Sequence, residues 1–149
     1  MIYLLIALAV LGIDYAVKLW VVQHLAINAT QVLIPNVVSL THIKNTGAAY
    51  GMLAGKQWVF YIITVIALII VATLWRGSAH KVMYRLGLAL ILAGALGNFI
   101  DRVRFQYVTD MFQLDFINFA IFNVADMSLT IGVILVLIHI LFFDKGDTL

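Results

Sequence analysis

The sequence predicts a mainly α, polytopic membrane protein: four transmembrane helices, with a small β cradle and a short outer segment between helices three and four on one membrane face. Three observations carry that reading. Of 149 residues, 64% are hydrophobic and only 11% charged, against roughly 25% charged in an ordinary soluble domain. A spanning helix needs about 20 mainly apolar residues, so four spans take roughly 80 and leave the rest for connections. The apolar residues also fall in long runs separated by shorter polar stretches.

Residues 1–22 form the first run, which at about 1.5 Å per residue reaches roughly 33 Å, enough to cross. Its charges, Asp14 and Lys18, interrupt the apolar core. A cleaved leader would instead place positive charge ahead of a shorter core, so a retained span is expected. Residues 31–42 are too short and polar to span and are rich in β-branched side chains, which predicts short strands near the membrane surface. Pro35 cannot donate to a ladder and marks an edge or a break. Asn45-Thr46-Gly47 reads as a turn. The second span is expected over 58–75, the third over 82–100 and the fourth over 124–143, with residues 103–122 outside the membrane and without a clear period. All of 1–149 reads as one membrane-embedded domain.

Four spans put both termini and the 76–81 loop on one side, and segments 23–57 and 102–123 on the other. Lysine and arginine do not orient the chain: Arg76, Lys81, Arg85 and Lys145 on one side balance Lys44, Lys56, Arg102 and Arg104 on the other. The absence of an internal repeat argues against an inverted-repeat transporter. A net charge of +2 gives no case for nucleic acid. Without cysteine there are no disulfides, thiolate nucleophiles or Cys-based zinc sites.

All seven acidic residues are aspartates. Asp14, Asp101, Asp110, Asp115 and Asp126 gather on one side, while Asp144 and Asp147 end the chain on the other. Ionisable groups in or near hydrocarbon are costly and usually line a bundle interior or a wet cavity with a partner. Asp14 and Lys18, four apart, share a helix face and read as a supporting ion pair. Asn98, Asp101 and Arg102 share a face at the outer end of helix three and read as a polar brace. Ala89, Ala93 and Gly97 form a small-residue stripe for close helix packing. Asn123 and Asp126 sit where helix four begins, a place where an aspartate also suits the helix dipole with no chemistry attached. Asp110, by itself, reads as a solvated loop residue. Paired with Asp126 it changes meaning, because two carboxylates held close share a proton and offer a base and an acid at once.

Other chemistries fit less well. His24, His42, His80 and His139 lie on both sides with no metal-ligand spacing, so no metal and no cofactor is expected. Ser39, Ser78 and Ser128 lack a nucleophile elbow or a neighbouring base. Taken alone, the residues leave a hydrolase balanced against a proton-coupled transporter or a lipid-binding membrane protein.

Five blocks in order resemble the bacterial lipoprotein signal peptidases, also called signal peptidase II: Asp14-Tyr15-Ala16-Val17-Lys18, Asn45-Thr46-Gly47-Ala48-Ala49-Tyr50, Gly97-Asn98-Phe99-Ile100-Asp101-Arg102, Val108-Thr109-Asp110 and Phe122-Asn123-Val124-Ala125-Asp126. The resemblance covers nearly the whole chain. It implies an intramembrane aspartic endopeptidase that removes the signal peptide of diacylglyceryl-modified prolipoproteins, cutting before the lipidated cysteine. The implied catalytic pair is Asp110 and Asp126, not Asp101, with Asp14, Lys18, Asn45, Asn98, Asp101, Arg102 and Asn123 in substrate binding or site support. It further implies a multi-pass protein of the bacterial cytoplasmic (inner) membrane, with cytoplasmic termini and an outward-facing site. The implied partners are lipid-modified prolipoproteins and membrane lipids. A monomer suffices, since one chain supplies both aspartates. Residues 31–50 are expected to form a cradle or flap over the site, with Asn45 touching substrate backbone.

Overall fold

The computed structural model describes residues 1–143; Asp144, Lys145 and Asp147 lie outside the described residues. Among the described residues, four helices are long and apolar enough to cross a membrane: α1 (Ile2–His24), α2 (Gln57–Arg76), α3 (Val82–Phe105) and α4 (Val124–Phe142). Three strands complete the fold: β1 (Thr30–Ile34), β2 (Val38–Asn45) and β3 (Val108–Leu114).

Three spans lie within two residues of their expected limits at each end. The third runs five residues longer than expected, because Asp101 and Arg102 find partners inside the protein, the Lys18 ammonium and the Gly47 carbonyl, and so do not end the helix. It stops at Gln106, whose left-handed backbone (φ 65°) turns the chain, while its N–H bonds the carbonyl of Arg102. The expectation of an irregular segment over 103–122 is corrected in the same stretch, since residues 108–114 form β3. The alternation that would have marked this strand is missing because both of its faces are covered. Val108, Thr109, Asp110 and Met111 are all buried.

The sheet is antiparallel in the order β1–β2–β3. Pro35 follows the last residue of β1, an edge strand, as its missing N–H requires. Met111 of β3, Leu40 of β2 and Val21 of α1 form a small apolar cluster that fastens the sheet to the end of α1. Outer segments far apart in sequence are therefore locked side by side on one membrane face.

Helix α3 is the spine against which α1, α2 and α4 pack. Small residues allow it. Ala89 and Ala93 meet Ala7 of α1. Toward α4 the contact is backbone to backbone: a Cβ on Gly87 would lie 2.7 Å from the carbonyl oxygen of Gly132, and one on Gly94 would run into the carbonyl of Ala125. Without a hydrophobic drive between helices in lipid, such close packing is a main source of their association. The apolar side chains left exposed, among them Leu4, Leu5 and Leu8 on α1 and Ile62, Ile66 and Ile69 on α2, form the surface a bilayer would cover.

Candidate active site

Strand pairing sets Asp110 in place. It stands opposite Ile43, with Val108 opposite Asn45, so Asn45 lies diagonally from Asp110 on the same face of the sheet. The Asn45 amide donates to Asp110 Oδ2 at 2.8 Å, while its own Oδ1 accepts from the Gly47 N–H at 2.9 Å. Asn123 Nδ2 donates to Asp110 Oδ1 at 2.6 Å. Asp110 is thus a buried strand residue, 3% exposed, with both oxygens hydrogen-bonded, rather than a solvated loop aspartate.

Asp126 is held by the start of α4. Asn123 caps that helix, accepting from the Asp126 N–H at 2.9 Å, and Asp126 Oδ2 accepts the Asn123 N–H in return at 3.1 Å. The expected helix-start role is therefore present, but it uses one oxygen only. The other, Oδ1, accepts from Asn98 Nδ2 at 2.7 Å. The two asparagines are also joined, Asn123 Nδ2 to Asn98 Oδ1 at 3.2 Å. A chain of amides thereby links Asp110 to Asp126 and fixes both.

Beneath this chain lies a buried charged cluster. Lys18 Nζ is 2.7 Å from Asp14 Oδ2, 3.0 Å from Asp101 Oδ2 and 3.2 Å from Asn98 Oδ1. The i,i+4 pair expected from the sequence is present, and Asp101 joins it from α3. Asp14 also accepts the Ala125 N–H at 2.9 Å, a donor in the first turn of α4 that has no partner within its own helix. Gly97 leaves the room: a Cβ there would lie 2.8 Å from Asp14 Oδ2. Arg102 donates to the Gly47 carbonyl at 2.9 Å and lies over the Phe60 ring, its guanidinium carbon 4.2 Å from the ring centre. The brace thus acts on the Asn45–Gly47 turn. Phe60, within an unbroken apolar run, carried no sequence signal for this role.

Asp110 and Asp126 line one groove of about 500 Å³ with Asn45, Asn98, Arg102 and Asn123. Gly47, Ala48 and Ala49 form part of one wall; Met127 and Ile131 of α4 give an apolar wall, with Thr130 between them bonded to the Asp126 carbonyl. All nine residues singled out in the sequence fall in this groove or in the network beneath it. Asp115 does not: it accepts from Ser39 at 2.7 Å and from Gln113 at 3.3 Å, near the far end of the β2–β3 pairing. Asp115→Asn, which can still accept from Ser39, is expected to change the activity of the site less than twofold. A steady-state assay beside the wild type checks this.

The signal peptidase (SPase) II family profile matches residues 6–142 of the chain. The chain belongs to the signal peptidase II family. Among its relatives, the lipoprotein signal peptidase of Latilactobacillus sakei subsp. sakei (strain 23K) is 51% identical over 146 residues, 97% of each chain. That of Enterococcus faecalis (strain ATCC 700802 / V583) is 46% identical over 97% of this chain and 91% of its own. A bacterial membrane enzyme solved by the in meso method at 2.3 Å resolution superposes with a TM-score of 0.91 at 37% identity, covering 99% of this chain and 93% of that one. Membership makes the chain a membrane-spanning protease of lipoprotein processing. The four helices and small sheet are an architecture it shares with solved bacterial membrane enzymes.

Proposed function

We propose that the chain is an intramembrane aspartic endopeptidase that removes the signal peptide from diacylglyceryl-modified prolipoproteins, cutting just before the lipidated cysteine, with Asp110 and Asp126 as its catalytic pair. The observation that carries this reading is the pair itself: two carboxylates from different elements, tied through Asn123 and Asn98, facing one groove. Burial pushes the Asp110 carboxyl up to about 6, and the neighbouring Asp126 charge pushes it the same way, against the hydrogen bonds from Asn45 and Asn123 and the field of Lys18. Asp110 is thus suited to carry the shared proton, while Asp126, at the positive end of α4 with two N–H donors, serves as the carboxylate.

Asp126 then takes a proton from water as the water oxygen attacks the scissile carbonyl carbon, and Asp110 gives its proton to the carbonyl oxygen. When the tetrahedral intermediate collapses, the proton held by Asp126 passes to the departing cysteine amine, and Asp110 recovers its own from the hydroxyl. No covalent intermediate forms on the enzyme. Arg102 lines the groove and compensates the single negative charge of the pair. The apolar α4 wall lets the acyl chains stay in hydrocarbon while the peptide bond reaches the aspartates. The proposed setting is the bacterial cytoplasmic membrane, with both termini cytoplasmic, the site outward, and one chain sufficient. A transporter would place its charges near the midplane of broken helices, whereas these helices run unbroken and Asp101 and Asp126 lie at helix ends, with Asp110 on the strand beyond.

Two outcomes follow. Among the described residues no group of three His or Asp side chains is placed to hold a metal ion. Cleavage is therefore expected to persist in excess chelator, as a timed assay with and without EDTA would show.

The second concerns pH. With a folded pKa of about 6 against an ordinary value of 3.8, the folded protein binds this proton more tightly than the unfolded chain. Stability therefore falls as pH rises from about 4 through 6, by up to about 3 kcal/mol for a shift of about two units. Thermal unfolding in detergent should show this fall in the wild type, and the component should be missing from Asp110→Asn. The proposed substrate is tested by offering the purified protein a diacylglyceryl-modified precursor and the same precursor unmodified. Only the modified one should be turned over efficiently; equal cleavage of both would remove the lipid from the account.

A further inference from the structure

We infer that Lys18 is a positioning residue for the catalytic pair, acting through Asn98: its ammonium sets which way round the Asn98 carboxamide sits, and thereby which aspartate holds the proton. The inference rests on the dyad reading above.

A carboxamide can be turned by 180° at little steric cost, exchanging its donor and acceptor ends. Asn98 has one end against Asp126 Oδ1 and the other against Lys18 Nζ and Asn123 Nδ2. An ammonium has three donors and no acceptor. Lys18 Nζ donates to Asn98 Oδ1 at 3.2 Å and is ion-paired with Asp14 and Asp101, at 2.7 and 3.0 Å. Turned the other way, Asn98 would aim N–H groups at the ammonium and its oxygen at Asp126. Lys18, with the Asn123 amide donating to the same oxygen, therefore holds an N–H toward Asp126, which suits a carboxylate anion, and of these two donors only Lys18 carries a charge. An oxygen facing Asp126 would instead suit a protonated carboxyl and reverse the roles within the pair.

Lys18 is 5% exposed and Asp14 3% exposed, so this orientation is imposed away from solvent. The charged groups around Asp126 are Asp110 on β3, Arg102 and Asp101 on α3, and Lys18 and Asp14 on α1. Lys18 is the one whose donated hydrogen bond ends on the amide that Asp126 accepts from. The cluster holds two carboxylates and one ammonium, so its conspicuous role is to support the bundle; amide orientation is a separate task.

Removing Lys18 alone strands two buried carboxylates, so the test keeps the cluster's charge constant. The double variant Lys18→Met, Asp101→Asn, whose cluster keeps the wild-type net charge of one minus, is compared with the wild type, with Asp101→Asn alone as a second reference, by Tm and by the pH profile of kcat/KM on the lipidated precursor. The expected result is a tenfold or larger loss of kcat with KM within twofold, and an acidic limb displaced toward higher pH by about one unit. Asn98→Ala, which keeps the Lys18 ion pairs, should show the same displacement, and Lys18→Met should add no further displacement in the Asn98→Ala, Asp101→Asn background. An Asn98→Ala profile in the wild-type position overturns the inference even if the lysine variant does not fold. A lysine variant that lowers Tm without moving the limb overturns it too. A failed dyad would show separately, as undiminished cleavage by Asp110→Asn.

Discussion

Asp110→Asn and Asp126→Asn are each expected to lower kcat on the lipidated precursor by on the order of 100-fold to 10,000-fold, the usual contribution of a positioned general acid or base. Asparagine keeps the size of the side chain and can still accept one of the existing hydrogen bonds, but it cannot exchange a proton. At position 126 the Asn123 N–H and the Asn98 amide remain as neighbours, so the start of α4 should persist. At position 110 one end of the new amide would face a donor from Asn45 or Asn123, a local conflict that does not reach the helices. Both proteins should therefore purify folded. Because the two groups act as a unit, the double variant should be little worse than either single one. Steady-state kinetics with Tm measured in parallel separates lost chemistry from lost structure. Two multiplicative losses in the double variant would mean that the residues act independently.

The next largest effect is expected from a glycine that carries no polar group. Gly94→Ala adds one methyl where α3 meets the Ala125 carbonyl, with Leu129 Cγ at 2.7 Å and Leu129 N at 3.0 Å. These are mainly backbone atoms, so the strain is relieved only by moving α4 away. Overpacking of this kind costs about 1–3 kcal/mol and occasionally more. Ala125 immediately precedes Asp126 and gives its N–H to Asp14, so a shift there carries the carboxylate off Asn98. Misplacement by about 1 Å can cost on the order of 100-fold in rate. Gly94→Ala should therefore lose both Tm and activity. Gly12→Ala on α1 meets no atom within 4 Å and serves as the matched control, expected to be neutral or slightly stabilising. Equal behaviour of the two variants would show that the α3–α4 contact does not set the site.

The sequence was most readable where lipid dictates composition and where a polar side chain stands out against it. Asp14, Lys18, Asn98 and Asp101 were legible because a charge or amide inside an apolar run needs a partner, and α1 and α3 supply partners to one another. The small-residue stripe was half legible. Ala89 and Ala93 do allow close packing, against α1, but the tighter contact with α4 uses Gly87, Gly94 and Gly132, of which Gly87 and Gly94 lie off that face. Strand β3 was hidden because Val108–Leu114 is covered on one side by α1 and on the other by the site, which erases the period-two signal. Asp110 therefore looked isolated, and pairing with β2 is what gives it Asn45 as a partner. The link from Arg102 to the Gly47 carbonyl spans 55 residues and ends on backbone, which no side-chain pattern records.

The central claim is that this chain alone hydrolyses the bond before the lipidated cysteine with Asp110 and Asp126. The most direct measurement is the mass of both products when the detergent-purified protein, freed of other peptidases, is incubated with a diacylglyceryl-modified prolipoprotein, beside the Asp110→Asn, Asp126→Asn double variant. The expected products are two fragments whose masses sum to the precursor plus one water, the larger beginning at the modified cysteine, with none from the variant. Cleavage at another bond, or the same two fragments from the double variant at the wild-type rate, would contradict it.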